Sequence, residues 1–124
     1  MLRARSATSG PWTKYILCVI TDSGSYSHHF LYSVAAGRSV SAELGYGGNQ
    51  YGMLRARASS IGSWECFDIY SVLDGNVWRE TIRSQANGRL AAAEFGAAGT
   101  GSDNGVLRAR SNAQGPWELF IITT

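Results

Sequence analysis

Leu54-Arg55-Ala56-Arg57-Ala58, followed by Gly62-Ser63-Trp64-Glu65-Cys66-Phe67-Asp68-Ile69, is the stretch on which the fold turns. It occurs three times. An earlier copy runs Leu2-Arg3-Ala4-Arg5-Ser6 with Gly10-Pro11-Trp12-Thr13-Lys14-Tyr15. A later one runs Leu107-Arg108-Ala109-Arg110-Ser111 with Gly115-Pro116-Trp117-Glu118-Leu119-Phe120. The leucines at 2, 54 and 107 set periods of 52 and 53 residues, a spacing that marks an internally repeated architecture.

Within each copy, apolar Leu and Ala alternate with Arg, the period of two expected of a half-buried strand. A Gly-containing turn follows, then a second β-rich run such as Trp12–Thr21. Between the copies lie two further short runs, residues 28–34 and Ser39–Leu44, separated by the turn Ala36-Gly37-Arg38. Their counterparts are Val77–Ser84 and Leu90–Phe95, separated by Ala86-Asn87-Gly88-Arg89. Leu90–Phe95 is Ala-rich and helix-prone by composition, but its alignment with Ser39–Leu44 predicts a strand. Asp74-Gly75 is a hairpin signal. Gly-rich loops close each unit, residues 45–52 and 96–105. The expected class is all-β.

The chain is one domain of 124 residues, divided into a repeat fragment, 1–21, and full units 24–73 and 76–124. Four strands per full unit and two in the fragment predict ten strands, not twelve. An apolar content of 44% argues against disorder, and fifteen Gly with two Pro suit strands joined by tight turns. The net charge of +2 is dispersed, which gives no footprint for nucleic acid. Ten of the eleven basic residues are Arg, which a GC-rich genome explains as readily as bidentate recognition does. No apolar segment reaches membrane-spanning length, and because the chain starts inside a repeat no signal peptide is expected in the sequence as it stands; the compartment stays open. Cys18 and Cys66 are not repeat-equivalent, so each is expected as a small buried hydrophobe rather than half of a bridge.

Gly-Arg-Ser-Val-Ser-Ala-Glu (37–43), the Gly-rich loop, Leu-Arg-Ala-Arg-Ala (54–58) and Gly-Ser-Trp-Glu-Cys-Phe (62–67) come in that order. Asn-Gly-Arg-Leu-Ala-Ala-Ala-Glu (87–94) and Gly-Pro-Trp-Glu-Leu-Phe (115–120) repeat it. This pattern resembles the fascin-like branch of the β-trefoil superfamily, and the resemblance covers nearly the whole chain. It implies a barrel whose end is capped by hairpins, here with one unit lacking two strands. An incomplete ten-strand barrel, a homodimer that supplies the missing edge, and a fragment of a longer chain each account for the deficit.

Trp12, Trp64 and Trp117, each followed three residues later by Tyr15, Phe67 or Phe120, are expected to form a core layer; a sugar-stacking platform is the alternative. The arginine pairs 3/5, 55/57 and 108/110 are expected to face outward, paired with Glu65, Glu118 and Glu94 or with acidic partners. Binding residues gather on loops held by a rigid frame. Tyr46, Asn49, Gln50 and Tyr51 in one loop, and Asp103 and Asn104 in the other, therefore form the candidate ligand site. Aromatic faces with amides are what sugar recognition needs: ring C–H surfaces stack and hydroxyls take directional bonds. Trp78 has no counterpart in the repeat and is expected as an exposed anchor or a strand-end packing residue. His28 and His29 point to opposite faces of a strand and do not jointly chelate a metal. No metal-ligand spacing or catalytic triad is evident, so neither cofactor nor enzymatic activity is expected; a carboxylate pair of Asp68 with Glu80 has nothing to motivate it.

The resemblance implies a non-catalytic, lectin-like module that binds carbohydrate or glycoconjugate. An actin-binding cross-linker is the runner-up, and a toxin's receptor-binding part or a protease inhibitor a third reading.

Overall fold

Alternating apolar residues become strands throughout the computed structural model, which describes residue 2 and residues 15–23, 26–95 and 105–122. The strands are β1 (Tyr15–Ser23), β2 (Tyr26–Ser33), β3 (Arg38–Glu43), β4 (Met53–Ala58), β5 (Phe67–Asp74), β6 (Val77–Ser84), β7 (Leu90–Glu94) and β8 (Val106–Ser111). They form one antiparallel sheet in the order β1-β2-β3-β4-β8-β7-β6-β5. β2 also pairs with β5, so the seven strands β2 to β8 close into a barrel, with β1 added on the outer side of β2. The protein is all-β, with no α-helix among the described residues.

The two full units repeat one another in detail. Val40 faces Ala56 across β3–β4, and Ala91 faces Ala109 across β7–β8. A register irregularity falls at the equivalent place in each hairpin, between Ser39 and Val40 and between Leu90 and Ala91. The Ala-rich Leu90–Glu94 is a strand because Ala91, Ala92, Ala93 and Glu94 all lie buried, with β6 and β8 paired on either edge; tertiary packing outweighs helix propensity. Asp74-Gly75 turns the β5–β6 hairpin, with Gly75 at φ 63°.

The core gathers Leu31, Val40, Ala42, Leu54, Phe67, Ile82, Ala91, Ala93, Leu107 and Ala109. The three repeat-equivalent leucines meet there. The Leu2 amide donates to the Leu54 carbonyl at 2.9 Å, and the Leu107 amide donates to the Leu2 carbonyl at 2.9 Å. Burying each such side chain stabilises the fold by about 2–3 kcal/mol. At Gly52 the loop before β4 lies directly on β8. The Gly52 carbonyl accepts from the Ala109 amide at 2.7 Å, and an added Cβ would stand 2.8 Å from the Ala109 oxygen.

Several expectations are corrected. Phe67 is fully buried and Phe120 packs on the core, but Trp64 and Trp117 are exposed. The Gly-Ser-Trp-Glu and Gly-Pro-Trp-Glu segments form 3-10 turns (Ser63–Glu65 and Pro116–Glu118), which swing the indole outward and the following Glu inward. Trp12 lies outside the described residues. The last predicted strand narrows to a single bridge, Glu80 with Phe120, the first falls on residues outside those described, and the other eight of the ten expected strands are present among the described residues.

Candidate functional site

The arginine pairs are organised by carboxylates of the preceding strand, not by Glu65 and Glu118. At the end of β3, buried Glu43 accepts from Arg57 Nε (2.5 Å) and Nη2 (2.8 Å), while Arg55 Nε lies 3.4 Å away. At the end of β7, Glu94 accepts from Arg108 Nη1 (2.8 Å) and from Arg110 Nε (2.9 Å) and Nη2 (2.7 Å). Strand pairing dictates this, because Glu43 faces Met53 across β3–β4 and Glu94 faces Val106 across β7–β8. Arg108 overturns the expectation of an outward face: it is 1% exposed. Glu65 and Glu118 instead turn back on their own 3-10 turns, where the Gly62 and Gly115 amides donate to their Oε1 atoms at 2.7 Å each.

This frame fixes the loop after β3. The Nη2 of Arg57 also donates to the Tyr46 hydroxyl at 3.3 Å, so a guanidinium locked by Glu43 holds the phenol. Those bonds, Glu43's first and Tyr46's second, hold Arg57 above the usual guanidinium range and charged. Gly45 sits against the indole of Trp64, whose Cη2 would be 3.4 Å from an added Cβ. Tyr46 is 45% exposed and Trp64 39%, so two exposed aromatics adjoin one glycine, Tyr46 in the chain and Trp64 through its indole. Farther along, Gly48–Gln50 form a 3-10 turn whose Gly48 carbonyl accepts from Arg110 Nη1 at 3.5 Å.

The expected site residues separate accordingly. Tyr46 and Gln50 are exposed, and Asn49 lies in the 3-10 turn between them. Tyr51 is half-buried and accepts from Asn87 Nδ2 at 3.4 Å, a nitrogen that also donates to the Ala109 carbonyl at 2.8 Å. It therefore supports the loop from below. Asp103 and Asn104 lie outside the described residues. Trp78 is 63% exposed near the tip of the β5–β6 hairpin, across from exposed Leu73, and belongs to a different part of the surface. Arg57 and Trp64 join the loop, in line with the alternatives of an acidic partner for the arginine pair and a stacking platform for the tryptophans rather than with the favoured frame roles. Their repeat-locked positions argued for the frame, and only the outward turn at Gly62 makes Trp64 accessible.

A second polar cluster crosses the barrel wall. His28, Asp68 and Arg83 face one another across β2, β5 and β6. Asp68 Oδ1 is bonded to His28 Nδ1, and Oδ2 accepts from Arg83 Nη2 at 2.8 Å. The same Nη2 donates to the Tyr70 hydroxyl at 2.9 Å, and Gln85 Nε2 lies 3.3 Å from His28 Nδ1. Asp68 is therefore committed to its two cross-strand neighbours and not to Glu80, which faces Ser71 and bridges to Phe120. One buried carboxylate shared by a histidine and an arginine stitches three strands. Just before that strand, Cys66 is a free, buried thiol; burial and then the Asp68 charge push its pKa up, the reverse of an activated nucleophile. Among the described residues no group of three or more His, Cys, Asp or Glu is placed to hold a metal ion.

No protein-family model matches the chain, and none of the curated proteins or solved structures searched matches it either.

Proposed function

We propose that this chain is a non-catalytic carbohydrate-binding module built on a β-trefoil-like frame. The frame reading is supported by the two equivalent hairpins, by the two Glu–Arg–Arg clusters and by the junction of Leu2, Leu54 and Leu107. The function reading is carried by one observation. Tyr46 and Trp64 are both exposed, Tyr46 next to Gly45 in the chain and Trp64 with its indole against that glycine, and the Tyr46 hydroxyl is held by an arginine that Glu43 immobilises. Such a pair offers apolar faces for sugar C–H surfaces with little side-chain entropy left to lose on binding. The Arg57 guanidinium beside it supplies directional bonds to hydroxyls.

A glycan array tests the reading. Binding to at least one oligosaccharide is expected, weakened roughly tenfold or more by Tyr46→Ala and by Trp64→Ala, with the melting temperature of each variant close to that of the parent. Binding to no glycan, together with co-sedimentation with actin filaments, would overturn it in favour of a cross-linker.

A further inference from the structure

We infer that the saccharide taken by this patch is acidic, carrying a carboxylate or sulfate that docks on Arg57. The inference rests on the reading of Tyr46 and Trp64 as a sugar platform and names its ligand class. A guanidinium has five N–H groups in a fixed plane. In Arg57 the Nε and Nη2 atoms are taken by Glu43, and Nη2 also serves Tyr46. The Nη1 amino group has no acceptor among the described residues, on a side chain that is 52% exposed. Its direction is fixed by the bidentate bond to Glu43, so the donor is preorganised on the guanidinium that holds the Tyr46 hydroxyl.

The local charge balance points the same way. Two arginines, Arg55 and Arg57, share the single carboxylate of Glu43, which leaves one positive charge over at that cluster. Both clusters touch the same loop, Arg57 at Tyr46 and Arg110 at the Gly48 carbonyl. The carboxylates closest in sequence to the platform are buried: Glu43 under the arginines and Glu65 under the Gly62 amide. Among the described residues the balance at Arg57 is therefore positive, and an acidic group placed there gains a charge-assisted bond without displacing an existing one.

Calorimetric titration separates the possibilities. The probes are a sulfated heparin oligosaccharide, an oligogalacturonate, neutral gluco- and galacto-oligosaccharides of matched length, and a single-stranded DNA oligonucleotide of matched charge. The acidic sugars are expected to bind roughly tenfold tighter than the neutral ones at low salt, an advantage falling to about threefold or less in concentrated NaCl. Arg57→Gln should reduce the low-salt preference to about twofold, and Arg57→Lys should retain more of it, because the charge survives while the fork is lost. Should Arg57→Gln fail to fold without its bond to Glu43, Arg57→Lys and the salt series read the same quantity. Equal affinity for neutral and acidic sugars, still dependent on Tyr46, overturns this inference and leaves the sugar reading standing. Binding to no oligosaccharide overturns both. DNA bound as tightly as the acidic sugars, and indifferent to Tyr46→Ala, reduces the effect to bulk charge and overturns it as well.

Discussion

Arg55 and Arg108 occupy the same place in the repeat and meet different surroundings. Arg108 is 1% exposed beside Glu94, whereas Arg55 is 25% exposed beside Glu43. Removing the carboxylate from each cluster therefore costs different amounts. Glu94→Gln takes the counter-charge from a buried guanidinium and should lower stability by about 3–5 kcal/mol. Glu43→Gln leaves two arginines that water can reach and should cost about 1 kcal/mol. Urea denaturation midpoints for the two variants measure the difference, and equal losses would contradict the burial argument. The alternation Leu-Arg-Ala-Arg shows in sequence that these side chains share a strand face. Whether that face is wet depends on which strands pack over it, which no local pattern encodes. Cys66 carries a second prediction at this scale. Its thiol is pushed up by burial, so between the ordinary thiol pKa of about 8.5 and the raised native value the unfolded chain loses a proton that the native protein keeps. Stability should therefore fall with rising pH in the alkaline range and be unaffected by this group below it. Cys66→Ala should flatten the fall relative to the parent in a series of urea midpoints from neutral pH upward.

The strands were legible in sequence almost to their ends, because period-two alternation and Gly-containing turns are local signals: Val77–Ser84 matches in full, and Leu90 to Glu94 is a strand despite its alanines. The seam that closes the barrel was not. β2 meets β5 through only three residue pairs, Ser27 with Ile69, His28 with Asp68 and His29 with Phe67. Those partners lie far apart in the chain, and the two histidines read alone suggested only opposite strand faces. The structure gives one of them a latch, with Asp68 drawing His28 and Arg83 onto β5 from either side. Asp68→Asn should thus cost about 2–4 kcal/mol, moderated because Arg83 is partly exposed and can hydrate. The loss should be local. Amide hydrogen exchange is expected to quicken in β2 and β5 well before it changes in the β3–β4 and β7–β8 hairpins. Uniform acceleration across all four elements would show that the seam is not a separate unit of stability.

For the whole molecule, the repeat in the sequence and the unit of folding are offset. The period of 52 and 53 residues cuts the chain near residues 22–25 and 74–76, between β1 and β2 and at the turn of the β5–β6 hairpin. Yet β5–β6 is the longest uninterrupted pairing in the barrel, running from Phe67 with Ser84 to Asp74 with Val77. The unit 24–73 therefore ends on a strand whose principal partner belongs to the unit 76–124. The other cross-unit contacts act alike, since Gly52 lies on Ala109 and Leu2 joins Leu54 to Leu107. Neither unit can bury its apolar strand faces by itself, and splitting them would leave β5 and β6 as unpaired edges. The sequence period identifies what is copied, but it cannot say which copies share a hairpin, because pairing is a property of the closed sheet. The full chain should accordingly unfold in urea as a single cooperative transition with coincident far-ultraviolet circular dichroism and tryptophan fluorescence. A peptide spanning 76–124, which keeps β6, β7 and β8, should show no cooperative transition alone and should gain one on mixing with a peptide spanning 1–75. A cooperative transition in the isolated 76–124 peptide would mean that the sequence repeat, not the hairpin crossing its boundary, is the folding unit.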